Sequence, residues 1–183
     1  MQAGFDADDL VVLDEFGSNI DLTRSSARAP RGQRVYEDVP RTTPRNTTTV
    51  AALTLQGIGP ALVLSGSVNR AAFETYIEQV LGPTLRVGQV VILDNATAHH
   101  GGRIVELLAA RGCTAWYLPP YSPDFSPIEL AFSKVKAHLR RLKARSREAL
   151  EHAIAQALAS ITTADAQAFF AHCGYPLWNI PGQ

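Results

Sequence analysis

The chain has 183 residues, of which 46% are hydrophobic and 8% aromatic, as expected for one globular domain with a full-sized core. Its 17 basic and 17 acidic residues cancel, so the total charge favours no class of partner. No apolar run approaches the roughly 20 residues of a membrane span, and the acidic start (Asp6, Asp8, Asp9) argues against a signal peptide. Cys113 and Cys173 have no metal-ligand spacing and indicate buried thiols in a reducing compartment. We therefore expect a cytoplasmic protein without a membrane partner.

The first half of the chain predicts three strands and one helix. In chain order these are a buried strand at 10–14, a loop at 17–46 with at most a short strand at 34–36, a hairpin of 47–56 and 61–64 that turns at Gly57–Pro60, and a helix from the N-cap Asn69 to Gly82-Pro83. The strand at 10–14 is a near-continuous apolar run, the pattern of a strand covered on both faces.

The second half predicts alternating strands and helices, followed by helices alone. These are a strand at 90–93, a helix at 102–111 that buries Ile104, Val105, Leu107 and Leu108 and stops at Gly112, a strand at 114–118, a helix from Pro127 with the apolar stripe Ile128, Phe132, Val135, Leu139 and Leu142, a helix capped by Ser146, and a short helix at 163–172. This order predicts an α/β protein, with a mixed sheet flanked by helices on both faces. We expect an extension at 1–9, a main domain at 10–145, and a helical extension at 146–183 that packs on it.

Three acids stand at the ends of separate predicted elements. Asp14 and Asp94 each follow a buried strand, and Glu129 lies in the first turn of the helix from Pro127. Parallel neighbouring strands would bring the two aspartates to one edge of the sheet. Converging carboxylates repel one another, and Mg²⁺, which prefers oxygen ligands, would relieve that repulsion. The pattern favours a divalent-metal site for phosphodiester chemistry, in which two ions stabilise the attacking and leaving oxygens.

Each acid also has a purely structural explanation. Asp14 and Asp94 could bond to the backbone of their own loops. Glu129 has the stronger alternative, because Ser126-Pro127-Ile128-Glu129 is a capping-box sequence with proline at the first helical position. Only the three acids taken together favour the metal site.

Most of the positive charge lies in two short windows. Residues 24–45 hold six arginines against two acids, and residues 134–147 hold seven Lys or Arg and no acid. At about 100° per residue, Lys136 and Arg140 share the flank of Glu129 on the helix, where a phosphate backbone could run. Solvated helix charge would look the same. His99 and His100 follow Asp94 in one loop, and we expect structural or phosphate-contacting roles for them because Mg²⁺ prefers oxygen.

Four motifs resemble the catalytic domain of mariner-like insertion-sequence transposases, which are DDE superfamily endonucleases. They are LDEFG at 13–17, RAPRGQR at 28–34, LDNATAHH at 93–100 and LPPYSPDFSPIELAFSKVK at 118–136. The 34 residues between Asp94 and Glu129 also match that family. The family's usual asparagine before Pro-Ile-Glu is Ser126 here, and both residue types cap helices.

The resemblance implies a ribonuclease-H-like fold and a catalytic, metal-binding triad of Asp14, Asp94 and Glu129. Mg²⁺, with Mn²⁺ as a substitute, would support cleavage of DNA at transposon ends and 3′-hydroxyl transfer to target DNA. The implied assembly is a homodimer or larger. We expect the DNA contacts to include Arg31, Arg34, Asn95, His99, Lys136 and Arg140.

One departure from the family leaves the function open. Such transposases carry N-terminal helix-turn-helix modules, whereas only 13 residues precede Asp14 here. A separately encoded helix-turn-helix subunit could supply end recognition. The alternatives are a non-catalytic truncated remnant or regulatory partner, and a hydrolytic ribonuclease-H-like nuclease.

Overall fold

The computed structural model describes residues 6–24, 26–41, 45–95, 101–120, 122–175 and 177. Its strands are β1 (Leu10–Ser18), β2 (Thr47–Thr54), β3 (Gly57–Ser65), β4 (Val90–Leu93) and β5 (Thr114–Tyr117). Its helices are α1 (Arg70–Thr75, continued by π-type turns over Tyr76–Leu81), α2 (Gly102–Ala109), α3 (Pro127–Leu142), α4 (Arg147–Ala159) and α5 (Thr163–His172). Single 3₁₀ turns lie at Ala7–Asp9, Gly82–Thr84 and Pro123–Phe125.

The five strands form one mixed sheet in the order β3-β2-β1-β4-β5. β1 is antiparallel to β2 and parallel to β4, and β4 is parallel to β5. β1 therefore lies at the centre and carries an antiparallel hairpin on one side and the parallel strands on the other. None of the described helices is long and apolar enough to cross a membrane.

Each face of the sheet buries its own core. On one face Val12, Phe16 and Ile92 pack with α3, α4 and α5, and on the other Val11 and Leu93 pack with α1 and α2. Successive side chains of a strand point to opposite faces, so the continuous apolar runs of β1 and β4 supply both cores. The predicted mixed sheet with helices on both faces is confirmed.

β1 is longer than predicted, and this changes the position of Asp14. Its parallel pairing with β4 ends at Leu13↔Leu93, whereas its antiparallel pairing with β2 continues to Ser18↔Thr47. Asp14 is therefore inside a strand and not at its end. The prediction failed because the less apolar residues after Asp14 take their strand conformation from β2, which lies about 30 residues further along the chain.

The hairpin turns earlier than predicted. Gly57 pairs with Thr54 and has a φ of +125°, which closes the turn over Leu55 and Gln56. The predicted turn residues up to Pro60 belong to β3, an edge strand, where proline costs no ladder hydrogen bond. The segment at 34–36, where we allowed for a short strand, is irregular and exposed.

The helical predictions are mostly confirmed. The side chains of Asn69 and Ser146 accept hydrogen bonds from the backbone and cap α1 and α4 as expected. α2 ends at Ala109, two residues early, and its Val105 is 45% exposed although we predicted it buried. Leu142, predicted on the buried stripe of α3, is 42% exposed because it lies in the last turn, past the sheet.

Candidate functional site

Asp14 and Asp94 lie on neighbouring strands at the same level of the sheet. Leu13 pairs with Leu93, the last pair of the parallel ladder, so the residue that follows each member of this pair is one of the two aspartates. Neighbouring strands are about 4.8 Å apart. Alternation along β1 turns Asp14 to the face covered by α3, because Val12, two residues before it, belongs to that core. Asp94 directly follows β4, and its charge acts on Asp14.

Packing of α3 on β1 brings the third acid to the same region. The rings of Phe16 and Phe132 have centroids 4.6 Å apart. Phe16 is two residues after Asp14 on the same face, and Phe132 is one turn after Glu129. Glu129 is exposed, whereas Asp14 is buried at 8% exposure.

The capping-box explanation for Glu129 is not supported. Ser126 is the N-cap of α3, but its side chain accepts no capping hydrogen bond. Among the described residues, Glu129 and Ser126 are linked by the helical backbone bond in which the Glu129 N–H donates to the Ser126 carbonyl, at 3.1 Å. A complete capping box does occur elsewhere, between Thr162 and Asp165 at the start of α5. The Ser126 hydroxyl therefore does not take part in the reciprocal bonding that would have explained Glu129.

The negative charges of Asp94 and Glu129 act on Asp14. The pKa of Asp14 is raised from 3.8 to about 7, mainly by burial, with a further contribution from the negative charges of Glu15, Asp94 and Glu129. The Glu15 N–H donates to Asp14 Oδ1 at 2.7 Å, which opposes part of that increase. The site therefore has an excess of negative charge around a buried acid.

The carboxylate oxygens of Asp14, Asp94 and Glu129 are the kind of ligand atom that binds a hard divalent cation. Carboxylate oxygens are what Mg²⁺ prefers, and a cation would offset the repulsion that raises the pKa of Asp14. However, no three His, Cys, Asp or Glu side chains within the described ranges stand close enough to hold a metal ion together. The backbone thus brings the three acids to one region, while their side-chain positions are not those of a closed metal site.

The proposed DNA contacts occupy different parts of the surface. Lys136 Nζ lies 5.9 Å from the centroid of the Phe16 ring, so this residue is near the acids along α3. Arg140 follows one turn later and is partly exposed, and Asn95 is exposed directly after Asp94. Arg31 and Arg34 are exposed in the irregular segment before β2. His99 and His100 lie outside the described residues.

Sequence reasoning missed the contacts that hold the arginine-rich segment to the body of the protein. Glu37 forms ion pairs with Lys143 at 2.9 Å and Arg145 at 3.1 Å. Arg145 Nη1 also donates to the carbonyls of Ile20 at 2.7 Å and Leu22 at 3.0 Å. More than 100 residues separate these partners, so no local pattern could have indicated them.

Solved structures of similar fold include several of Mos1 transposase. The Mos1 transposase paired-end complex with left transposon end matches with a TM-score of 0.73 at 16% identity, over 91% of this chain and 52% of that chain. The Mos1 strand transfer complex matches with a TM-score of 0.69 at 16% identity, over 91% and 52%. The catalytic domain of Mos1 mariner transposase matches with a TM-score of 0.63 at 14% identity, over 91% and 78%.

The chain therefore spans about half the length of the Mos1 chains in those complexes. At these identities the structural matches establish the ribonuclease-H-like fold and nothing finer. No curated protein matches the sequence significantly.

A family match covers most of the chain and agrees with the motifs. Residues 9–151 match the DDE superfamily endonuclease family, a range that includes Asp14, Asp94 and Glu129. The chain belongs to the DDE superfamily endonucleases.

Proposed function

We propose that this chain is the catalytic domain of a transposase that cleaves DNA at transposon ends and joins the freed 3′-hydroxyl to target DNA. The observation that carries the proposal is the convergence of Asp14, Asp94 and Glu129 from β1, β4 and α3 on one side of the sheet, with the charges of two of them acting on the third. The family and the Mos1 matches support the same reaction class.

Asp14, Asp94 and Glu129 would hold Mg²⁺ or Mn²⁺. Mos1 structures contain both ions. When bound, such ions activate a water molecule and stabilise charge on the leaving oxygen. The chain's own part is to supply negative charge at a fixed place: β1 and β4 set the spacing of the two aspartates, and the packing of Phe132 on Phe16 sets the position of Glu129.

The reaction proceeds in two displacements at phosphorus. Water attacks the phosphodiester at the transposon end, the bond from phosphorus to the 3′ oxygen breaks, and that oxygen takes a proton to leave a 3′-hydroxyl. The 3′-hydroxyl then attacks a target phosphodiester, forming one P–O bond and breaking another. Lys136 and Arg140, along α3 from the acids, would contact backbone phosphates, together with Arg31, Arg34, Asn95 and His99.

The assembly is proposed by analogy with the paired-end complexes of Mos1. We infer a homodimer or larger assembly on paired DNA ends, with target DNA as the second substrate. A separately encoded helix-turn-helix subunit would recognise the end sequence if this polypeptide does not. We infer that the protein acts in the cytoplasm. Light scattering of the protein with and without end DNA tests the assembly directly.

Nicking and strand-transfer assays with Mg²⁺ or Mn²⁺ test the chemistry. The substrates are a supercoiled plasmid and an oligonucleotide duplex with a free 3′-hydroxyl, and the parent is compared with Asp94→Asn. We expect both activities in the parent only, with a matched variant of the exposed Asp38, Asp38→Asn, active like the parent. Equal activity in parent and Asp94→Asn would overturn the proposal.

Two other outcomes identify the alternatives. If the protein binds metal and DNA but transfers no strand, it is a regulatory remnant. If it cleaves RNA in preference to DNA, it is a ribonuclease-H-like nuclease.

A further inference from the structure

A second polar site lies on the same face of the sheet as the acids, at the far end of β1. It is a cavity of about 190 Å³ between the ends of three strands and the start of α4. Its polar lining consists of Asn19, Arg45, Thr47, Ser65 and Arg147, and Ile20 and Leu150 complete it. We name it the Arg45/Arg147 pocket. A water molecule takes about 30 Å³, so the volume accommodates the five heavy atoms of a phosphate group.

Arg147 is held in place at the wall of this pocket. Its Nε donates to Glu151 Oε1 at 3.0 Å, and its Nη1 donates to Ser65 Oγ at 3.0 Å. A guanidinium has five N–H donors, so three remain for a ligand. Because Ser65 Oγ already accepts a hydrogen bond, its own O–H is free to donate into the pocket.

Arg45 and Thr47 supply further donors that no described residue of the protein uses. In the described parts of the chain, Arg45 takes part in no ion pair or hydrogen bond. Thr47 is only 3% exposed and lines the pocket, and no described group bonds its hydroxyl. With Glu151 neutralising one of the two arginines, the pocket keeps a net positive charge. A donor-rich, positively charged cavity is suited to an oxyanion.

The pocket lies within reach of a DNA strand that contacts the acids. Asn19 is five residues beyond Asp14 along β1, a distance of roughly 17 Å at about 3.3 Å per residue. α3 spans the same interval: it starts beside the acids, carries Lys136 and Arg140, and leads to Arg145, which bonds to Ile20 in the pocket wall. A nucleic-acid strand that reaches the acids would have a phosphate near the pocket after about five base pairs at 3.4 Å each.

We propose that the Arg45/Arg147 pocket binds a backbone phosphate of the DNA on which the acids act, an inference that rests on the proposed function. The pocket would fix the register of the strand relative to the acids, with no role in reading sequence. Arg45 is the residue with most to contribute, since its charge has no partner among the described residues.

The first experiment measures DNA affinity against salt concentration for the parent, Arg45→Gln and Arg147→Gln. Arg45→Gln removes a charge without breaking any described contact, so it should fold like the parent. We expect its affinity for duplex DNA to fall roughly tenfold, with a salt slope smaller by about one. The matched control is Arg86→Gln, at the opposite end of β4, where Arg86 pairs with Asp8. It should change neither quantity.

The second experiment separates a DNA phosphate from free phosphate. Inorganic phosphate is added to the parent and to Arg45→Gln, and the melting temperature is measured. Stabilisation of the parent alone, at millimolar phosphate, would identify a pocket that also accepts the free ion. No stabilisation, combined with the tenfold loss of DNA affinity, would identify a site that is specific for the polymer backbone.

The two proposals fail in different ways. If Arg45→Gln binds DNA with the affinity and salt slope of the parent, or if neither DNA nor phosphate binds to the parent, the pocket proposal is wrong. If Arg45→Gln shows the expected loss while the parent nicks no DNA, the pocket proposal stands and the catalytic proposal fails. Asp94→Asn should lose nicking and keep the salt slope of the parent.

Discussion

Asp14 should destabilise the metal-free protein above neutral pH. The folded protein holds a proton on this carboxyl up to a pKa of about 7, whereas an exposed aspartate releases it near 3.8. Between those values the folded state binds more protons than the unfolded state, so the free energy of unfolding falls as the pH rises and stays low above pH 7. Burial is the largest cause of the raised pKa, and the like charges of Glu15, Asp94 and Glu129 act in the same direction.

The size of the effect follows from the pKa difference. About three pH units at 1.36 kcal/mol each correspond to about 4 kcal/mol at pH 8, of which about 3 kcal/mol is lost between pH 5 and pH 8. Asp14→Asn removes the ionisation but keeps an oxygen that can accept from the Glu15 N–H. At 2–4 °C per kcal/mol for a protein of this size, Asp14→Asn should raise the melting temperature at pH 8 by roughly 10 °C.

Thermal or urea unfolding in EDTA at several pH values measures this effect. The quantity of interest is the difference between parent and Asp14→Asn, because other groups that titrate are common to both proteins. Asp38→Asn, which neutralises an exposed aspartate, is the control and should follow the parent. Parallel curves for parent and Asp14→Asn, or a variant that is less stable at pH 8, would show that the buried carboxylate is compensated in a way the structure does not contain.

Three further changes have expected outcomes of their own. Thr49→Val should stabilise the protein by about 1 kcal/mol, because the buried Thr49 hydroxyl lacks a hydrogen-bond partner in the described structure. Thr48→Val, which loses a 2.6 Å bond to the Gly66 carbonyl, should destabilise the protein. Equal melting temperatures of the two variants would contradict both expectations. Tyr175→Phe removes the 2.8 Å hydrogen bond from the Tyr175 hydroxyl to the Phe125 carbonyl, just before α3. We expect a severalfold lower nicking rate with unchanged KM for DNA. An unchanged rate would refute the idea that this bond positions the start of α3. Glu37→Gln should speed trypsin cleavage within 23–41, because it removes the carboxylate that pairs with Lys143 and Arg145. Resistance like that of the parent would mean that other contacts hold the segment.

The elements that sequence predicted best are those whose signals are local. α3 begins at Pro127 and ends at Leu142 because a proline at the first helical position and a repeating apolar stripe specify it without reference to the rest of the chain. β4 was also predicted with its observed limits, as a short apolar run between turns. Where partners lie far along the chain, prediction failed: β1 extends to Ser18 only because β2 pairs with it.

The functional residues follow the same rule: those with local signals could be predicted, and those brought together by the fold could not. The three acids could be selected from the chain because two follow apolar runs and one opens a helix, and the motifs that resemble the family supported that choice. The Arg45/Arg147 pocket could not be selected, since its two arginines are 102 positions apart and belong to different charge windows. In the sequence the two windows look like separate surfaces; in the structure one residue from each meets in a single cavity.

The interior position of Asp14 in β1 links the stability of the fold to its chemistry. An acid at the end of the strand would be solvated and would keep an ordinary pKa, whereas one flanked by β2 and covered by α3 is desolvated and raised to about 7. Burial of Asp14 costs stability in the metal-free protein, and a cation that binds only the folded state would offset that cost. Metal binding below pH 7 must then displace the proton from Asp14, so affinity for Mg²⁺ should increase with pH up to that value. With Asp14 inside the sheet and Glu129 exposed on a helix, the folded protein is therefore less stable without the cation than with it.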